Sequence, residues 1–465
     1  MSAIAGIDNL RGARALVYSL GKEGRDLAGW LLGQGADVTI SDTRSDIQLQ
    51  AAAAVAPAGV GQVVTGQPLL KPDGFDVLAV GQSVLRHDSA VVRAKSLGIP
   101  VVSQTQLFLQ LCAGRVVGIT GSSGKSTTTA LVAEMAKDGK VKHVVGGNIG
   151  EALLGRLGEI DAETTVVLEI SHTQLQYTDR SPGVAAITNV TPNHLDQFDW
   201  DAYVELKHHL LEYQEADDAR VINVDDPVSR PWASEGSGRV FLASVTGDHG
   251  KPGAWLDGPE VMIRSEDGKR HAVANRDALQ IRGDHNVANA VMACAVATAA
   301  GFPAQAMASA CRRFRGVPHR LEMAGTALGA TWVNDSIATA PERTMAGLRA
   351  FTEPVVLLLG GREKNLPVTE LRALVIERCR AVICFGEAGP SFGSAMEGFG
   401  GPVTIVDTLE AAVAEASRLV AAGDIVLLSP AGTSFDAFPS FEARGAAFRQ
   451  LVREMPGYQG PEDAR

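Results

Sequence analysis

The sequence GITGSSGKSTTT, residues 118–129, has the composition of a loop that binds phosphate. Its glycines let backbone N–H groups approach phosphate oxygens, Lys125 can reach the terminal phosphates, and Ser126 can bind magnesium. The spacing differs from the common G-x-x-x-x-G-K-[ST] pattern, because Ile119 stands in place of the outer glycine and the nearest glycine is Gly121. A turn that only caps a helix is the alternative. An apolar strand before the loop and a helix after it favour nucleotide binding.

Three polar residues downstream could complete a site for nucleotide and metal. Glu169 ends the apolar run VVLEIS, where it could hold magnesium or could be an edge-strand glutamate facing water. His194 follows the next apolar run, and imidazole can bind magnesium or manganese. Lys207 lies in the predicted helix DAYVELKHHLLEY and, taken alone, is typical of a surface lysine. We predict a metal site that includes Glu169 and His194.

The composition is that of a folded, negatively charged protein. The chain has 465 residues, 45% of them hydrophobic, and a formal net charge of −11, so a broad nucleic-acid surface is not expected. No apolar run is long enough to cross a bilayer, and the N-terminus lacks an export signal. The five cysteines have no C-x-x-C spacing, which disfavours a zinc site or a disulfide framework. We expect a cytoplasmic protein without membrane or nucleic-acid partners.

Apolar runs alternate with helical segments along the whole chain. This alternation predicts an α/β fold of three domains, each built on a mainly parallel sheet. We place a Rossmann-like domain at 1–114, a P-loop ATPase-like domain at 115–318 and a second Rossmann-like domain at 319–465. Ligands gather at the carboxyl ends of parallel strands, so functional residues should follow the strands.

The first domain has the outline of a dinucleotide fold without the full glycine fingerprint. An apolar run is followed by Gly21 and Gly24, which we expect to form a tight turn, and then by a helix, a second strand and Asp42. Ser19 replaces the first glycine of G-x-G-x-x-G. An NAD-binding oxidoreductase is the alternative for this domain, and the missing glycine disfavours it.

Together these motifs resemble the Mur ligase family, the ATP-dependent amide-forming enzymes of peptidoglycan precursor synthesis. TGSSGKST fits that family's loop, T-G-[TS]-[NS]-G-K-[ST]-[ST], which lacks the outer glycine. The chain also carries, in the family's order, LEISHTQLQ, ITNVTPNHLDQF, GDHNVANA, GVPHRLE, NDSIAT and LLSPAGTSFDAFPSFEARG. The length and the N-terminal SLGKEG and SDTR stretches resemble members that add glutamate to UDP-N-acetylmuramoyl-L-alanine.

The resemblance implies a mechanism, cofactors and partners. ATP would phosphorylate the substrate carboxylate, and the amino group of D-glutamate would attack the acyl phosphate. The implied cofactors are ATP and two magnesium ions, for which manganese could substitute, and the implied partners of a monomeric protein are its small-molecule substrates. The implied catalytic residues are Lys125, His194, Lys207 and Arg320. The implied metal ligands are Ser126, Glu169, His194 and Lys207, the last as a carbamate.

The resemblance also implies three binding sites. The ATP site would use Gly121, Ser122, Ser123, Gly124, Lys125, Ser126, Thr127, Asn286, Asn289, Arg320 and Asp335. The site for the UDP portion of the substrate would use Lys22, Glu23, Asp42, Thr43, Arg44 and Asn148. The glutamate site would use Thr339, Lys364, Ser434 and Phe441.

One departure from the family pattern falls in the glutamate site. Many glutamate-adding relatives have N-D-S-K-A-T, whereas this chain has Ile337 in NDSIAT. The choice between D- and L-glutamate therefore stays open, although Lys364 is kept. More distant alternatives are a folate polyglutamate synthetase, which the extra N-terminal domain disfavours, and a silent nucleotide-binding subunit, which the presence of Lys125 and Glu169 disfavours.

Overall fold

The computed structural model describes residues 10–44, 55–192, 197–281, 283–364 and 366–461. The chain divides into two compact units, Met1–Phe314 and Arg315–Arg465. Among the described residues, the first unit contains two sheets and the second unit contains one, and most strand pairs are parallel. The predicted α/β class with three mainly parallel sheets is confirmed. The predicted domain boundaries at 114 and 318 stay a prediction.

The first sheet has the strand order β3-β2-β1-β4-β5, with all pairs parallel. Its strands are β1 (Arg14–Tyr18), β2 (Asp37–Asp42), β3 (Gln62–Thr65), β4 (Val77–Val80) and β5 (Val101–Ser103). The accompanying helices are α1 (Lys22–Gly33), α2 (Ser89–Ser96) and α3 (Gln104–Leu111). The order reverses at β1, so the crevice beyond its carboxyl end is where such sheets bind ligands.

The turn after β1 differs from the prediction. Gly21 is the N-cap of α1, but Gly24 lies inside the helix and not in the turn. Gly24 is needed there because an added Cβ would lie 1.7 Å from the carbonyl oxygen of Ser19. Ser19 itself has φ +84°, the left-handed region in which glycine is favoured. The backbone thus makes a glycine-type turn although the fingerprint glycine is absent.

The second sheet has the order β14-β13-β12-β11-β10-β9-β6-β8-β7, and only the β12–β13–β14 portion is antiparallel among its described pairs. Its strands are β6 (Arg115–Thr120), β7 (His143–Gly147), β8 (Thr165–Glu169), β9 (Val184–Ile187), β10 (Ala219–Asn223), β11 (Arg239–Ser244), β12 (Gly253–Asp257), β13 (Glu260–Arg264) and β14 (Arg270–Asn275). The helices that accompany it are α4 (Lys125–Asp138), α5 (His172–Leu175), α6 (Trp200–Glu212), α7 (Asp284–Ala300) and α8 (Ala304–Arg313). Apolar residues of α4 and α7 share one buried core with this sheet.

The sheet of the second unit has the order β15-β16-β20-β17-β18-β19, with β15 antiparallel to β16 and the other described pairs parallel. Its strands are β15 (Glu322–Ala327), β16 (Ala330–Asn334), β17 (Val355–Gly360), β18 (Cys379–Phe385), β19 (Val403–Val406) and β20 (Ile425–Ala431). Its helices are α9 (Pro341–Leu348), α10 (Thr369–Arg378), α11 (Gly389–Ala395), α12 (Leu409–Leu419) and α13 (Phe441–Arg453). Within the described ranges, no helix has the length and apolar character needed to cross a membrane.

Candidate active site

The loop between β6 and α4 is shaped for close approach of an anion. Gly124 is the N-cap of α4 with φ +78°, and an added Cβ would lie 2.2 Å from the Asn289 side-chain oxygen. Gly121 has φ +153°, and its Cβ would lie 1.9 Å from the Thr188 hydroxyl. Both glycines are therefore required by backbone conformation and by space. The first turn of α4 presents its N–H groups to this loop, which is the arrangement that binds phosphate.

Hydrogen bonds hold the loop residues in place. Lys125 Nζ donates to the carbonyl oxygens of Gly121 at 2.8 Å and Ser122 at 3.1 Å, so its ammonium lies over the loop. The Ser122 hydroxyl donates to the Thr191 carbonyl at 2.9 Å. The Ser123 backbone N–H donates to Asn189 Oδ1 at 3.0 Å. Thr127, the remaining predicted loop residue, is half-buried in the first turn of α4.

A buried carboxylate lies beside the loop. Glu169 ends β8, pairs in register with Ile119 of β6, and is 1% exposed. Asn148 Nδ2 donates to its Oε1 at 2.6 Å, whereas its buried Oε2 has no hydrogen-bond partner among the described residues. A buried carboxylate oxygen without a hydrogen-bond partner costs free energy unless a cation or a hydrogen-bond donor binds to it. Glu169 is thus buried at the site, and the alternative of a solvent-facing edge residue is wrong.

Lys207 is fully buried and not a surface residue. It lies on α6, and its Nζ donates to Thr120 Oγ1 at 3.1 Å and lies 5.3 Å from the ring centroid of Tyr203. Burial, and secondarily the charge of Lys125, hold the pKa of Lys207 well below its ordinary value, while Glu169 acts in the opposite direction. Lys125, Glu169 and Lys207 therefore form one electrostatically coupled group at the end of β6.

The predicted metal ligands are only partly in view. Ser126 is buried in the first turn of α4, close in sequence to Lys125, and Glu169 and Lys207 lie at the same strand edge. His194, predicted as a metal ligand and a catalytic residue, lies outside the described residues. Within the described ranges, no cluster of three or more His, Cys, Asp or Glu side chains could hold a metal ion. Among the described residues, Glu169 Oε2 is a buried carboxylate oxygen without a hydrogen-bond partner, and such an oxygen is suited to bind a cation.

One asparagine of α7 packs against the phosphate loop, and a second asparagine is hydrogen-bonded to the first. Asn289 Nδ2 donates to Asn286 Oδ1 at 3.0 Å, and Asn289 is buried against Gly124. The structure therefore places Asn289 of the predicted ATP site against the loop, with Asn286 hydrogen-bonded to it.

The predicted UDP-site residues gather at the carboxyl ends of β1 and β2. Both carboxylate oxygens of Asp42 are occupied, because they accept hydrogen bonds from the Leu20 backbone and from Arg44. Arg44 is held 44% exposed beside the N-terminus of α1, and Thr43 is exposed next to it. Asp42 thus positions Arg44, whose guanidinium stays partly exposed.

Two further residues of the predicted UDP site, Lys22 and Glu23, link the first sheet to the part of unit 1 that carries the second sheet. Lys22 Nζ donates to the carbonyl oxygens of Gly147 at 3.4 Å and of Gly150. Glu23 is buried and accepts from Gln174 Nε2 at 2.5 Å, and burial raises its pKa. Asn148 contacts Glu169 through its side chain, as described above. These residues therefore join the first-sheet crevice to the strand edge that carries Glu169.

The second unit contains Arg320 and Asp335. Asp335 follows β16 and is 4% exposed, and it accepts from the Ser429 hydroxyl at 2.8 Å and the Leu321 backbone at 3.2 Å. Burial raises the pKa of Asp335 to about 7, and the Arg320 charge acts against that shift. His319 and Leu321 have positive φ values on either side of Arg320, so this turn is held in an uncommon conformation.

The predicted glutamate-site residues follow strand ends of the same sheet. Lys364 Nζ donates to Thr339 Oγ1 at 3.3 Å, Ser434 is buried after β20, and Phe441 begins α13. The fully buried Arg444 donates to the Ser336, Gly432 and Thr433 carbonyl oxygens. Arg444 holds the segments that carry Thr339 and Ser434.

Sequence analysis did not assign a role to several supporting residues. Arg444 lies in a quoted motif, and its run of small neighbours could have indicated a buried guanidinium. Asn189 and Tyr203 support the loop from separate elements, and no local pattern identifies them. Their roles depend on contacts between residues far apart in the chain.

A parallel sheet with a glycine-rich loop, a buried acidic strand end and a helix N-terminus defines a P-loop nucleotide-binding protein. Profiles of known families identify it further: the Mur ligase middle domain matches residues 119–297, and the "Mur ligase, glutamate ligase domain" matches residues 319–432. The chain belongs to the Mur ligase family. It is an ATP-dependent ligase that forms an amide bond and uses magnesium.

Individual relatives match over almost the full length. A UDP-N-acetylmuramoylalanine–D-glutamate ligase from Symbiobacterium thermophilum is 36% identical over 447 residues, covering 95% of this chain and 98% of the relative. The ligase of the same name from Koribacter versatilis is 36% identical, covering 96% and 98%. A UDP-N-acetylmuramate–alanine ligase from Thermotoga maritima shares the fold with a TM-score of 0.55 at 17% identity, covering 94% of this chain and 98% of that one.

Proposed function

We propose that this protein joins D-glutamate to UDP-N-acetylmuramoyl-L-alanine in peptidoglycan precursor synthesis. The γ-phosphoryl group of ATP passes to the substrate carboxylate, and ADP leaves. The amine of glutamate then attacks the acyl phosphate, an amide bond forms, and phosphate and a proton are released. The observation that carries this proposal is the buried Glu169 and Lys207 pair beside the loop that contains Lys125. The names of the two D-glutamate ligases supply the substrates.

Magnesium fits the donors of unit 1. The unpartnered Glu169 oxygen and the Ser126 hydroxyl would hold one ion, which neutralises charge on the transferring phosphoryl group. We propose two ions, with manganese as a substitute, and include His194 in the ligand set. Lys125 would place its charge on the same phosphoryl group, and we propose Arg320 as a further catalytic residue.

Lys207 has the chemistry needed for carbamylation. Its lowered pKa favours the neutral amine, which is the form that attacks carbon dioxide. The amine nitrogen would bond to the carbon of carbon dioxide while one C=O π bond opens, the nitrogen would lose one proton, and the neutral amine would become an anionic carbamate. A carbamate on Lys207 would then be a second carboxylate-like ligand next to Glu169.

We propose the remaining binding sites from the resemblance to the Mur ligase family. Arg44, Thr43 and Lys22 would meet the UDP portion, with Asp42, Glu23 and Asn148 as their supports. Asn286 and Asn289 would lie on the adenine side of ATP, and the ionised form of Asp335 would accept from the ribose. Lys364 and Thr339 would meet one end of glutamate, with Ser434 and Phe441 forming the rest of the pocket. We further propose a cytoplasmic monomer.

The test is amide formation by the purified chain with ATP, magnesium, UDP-N-acetylmuramoyl-L-alanine and either D- or L-glutamate. We expect phosphate release that depends on D-glutamate, and none from Lys125→Ala, which lacks the charge facing the phosphates. Release with L-glutamate alone would overturn the D assignment. If neither D-glutamate nor L-glutamate gives phosphate release, the proposed function is overturned.

A further inference from the structure

A second cation lies beside the proposed glutamate pocket. Arg343, in the first turn of α9, donates from Nη1 to the Ile337 carbonyl oxygen at 3.4 Å. The same oxygen accepts from the Thr339 backbone at 2.9 Å, and the Thr339 hydroxyl accepts from Lys364 at 3.3 Å. The turn 337–339 therefore has a guanidinium at one end and an ammonium at the other.

The two side chains place positive charge at both ends of the turn 337–339. A positive charge in the first turn of a helix opposes the helix dipole. The pKa of Lys364 is lowered, first by partial burial of its ammonium and then by the Arg343 charge, and Glu342 opposes that shift with a single negative charge. Arg343 and Lys364 are both exposed, so a ligand can reach them. An anion bound at Thr339 would stabilise the cluster.

Glutamate in its reactive form is such an anion. Its amine must be unprotonated to attack the acyl phosphate, so the molecule then carries two carboxylates and no ammonium. Lys364 can neutralise only one of them, and an arginine fork matches a carboxylate well. We propose that Arg343 is a specificity-determining residue that binds one glutamate carboxylate while Lys364 binds the other, an inference that rests on the proposed function. Arg343 thereby supplies positive charge where Ile337 has none.

The test is steady-state ligation by the full chain with each of the three substrates varied in turn. Arg343→Ala should raise the KM for D-glutamate about 30-fold, because a charge-assisted hydrogen-bond pair is lost. The KM values for ATP and UDP-N-acetylmuramoyl-L-alanine should stay within about twofold. Arg343→Lys should recover part of the loss. Arg349→Ala, at the exposed C-terminal end of α9, is the matched control and should change none of the three values.

The outcomes separate this inference from the proposed function. An unchanged KM for glutamate in Arg343→Ala, with normal ligation by the wild-type chain, would overturn the role of Arg343 and leave the ligase assignment intact. An equal rise in all three KM values together with a lowered Tm would also overturn it, because the residue would then be structural. A wild-type chain that shows no glutamate-dependent turnover would overturn both.

Discussion

At the scale of single residues, Lys207 shows how far an isolated side chain can be interpreted. Its helix, DAYVELKHHLLEY, has polar residues on both sides of the lysine, and that pattern is typical of a surface position. The Lys207 side chain is buried instead, and it contacts Tyr203 of α6 and Thr120 of β6. Family resemblance singled out the residue, but only packing shows that its amine is desolvated. A single-sequence pattern carries no such information.

We predict that Lys207→Met abolishes ligation and stabilises the fold. The buried amine costs free energy, so the free energy of unfolding at pH 7 in buffer free of carbon dioxide should rise by about 1–4 kcal/mol. The depressed folded-state pKa means that the wild-type penalty shrinks as pH rises towards the ordinary value of 10.5. Urea unfolding from pH 7 to 10 measures this, with the exposed Lys137→Met as control. A variant that keeps full turnover would show that the amine is dispensable.

Asp335 gives a prediction for pH. Its pKa of about 7 means that it ionises as pH rises through neutrality, and the ionised form is the one that we propose as an acceptor for the ribose. The KM for ATP should fall several-fold between pH 6 and 8, and Asp335→Asn should flatten this dependence. Because the folded-state pKa of Asp335 is raised, the folded wild-type protein loses stability as pH rises from about 4 to 7. Asp335→Asn avoids that loss, so its unfolding free energy should exceed the wild-type value by a growing amount over this range, reaching on the order of 2 kcal/mol. Identical ATP profiles in the two proteins would contradict this role.

At the scale of elements, continuous buried apolar runs are the strands that are easiest to predict from the sequence. β6 and β8 are such runs, and they were predicted from the apolar residues before the phosphate loop and before Glu169. The edge strands β3, β14 and β19 were missed, because exposed residues interrupt their apolar ones. The antiparallel end of the second sheet, within 253–275, was also missed, although β12 and β13 are largely buried. The phosphate loop was predictable because all of its chemistry lies in eight consecutive residues.

The loop-to-helix junction can be tested by adding one methyl group. Gly124→Ala would place a Cβ on the Asn289 oxygen at a positive φ, so we expect about 1–3 kcal/mol lower unfolding free energy and a large rise in the KM for ATP. Gly29→Ala is the matched control, since that glycine lies in α1 with nothing within 4 Å of an added Cβ. It should stabilise the fold by about 0.5–1 kcal/mol. Normal ATP binding by Gly124→Ala would contradict the required glycine conformation.

At the scale of the whole molecule, the order of motifs predicted three sheets, and three are found. The division into two compact units was not predictable, because it depends on contacts between the first two sheets. Asp26 illustrates this: it lies on α1 and accepts from the backbone of Leu154 and Gly155 in the second sheet's domain. Those partners are 128 and 129 residues away in the chain, and no local pattern joins them.

Transfer of an oxygen isotope tests whether the reaction passes through an acyl phosphate. The substrate UDP-N-acetylmuramoyl-L-alanine is prepared with ¹⁸O in its free carboxylate and incubated with ATP, magnesium and D-glutamate. If that carboxylate attacks the γ-phosphoryl group, one labelled oxygen leaves with phosphate, and mass spectrometry should find one ¹⁸O in each phosphate released. Unlabelled phosphate, formed together with the amide product, would contradict the acyl-phosphate mechanism.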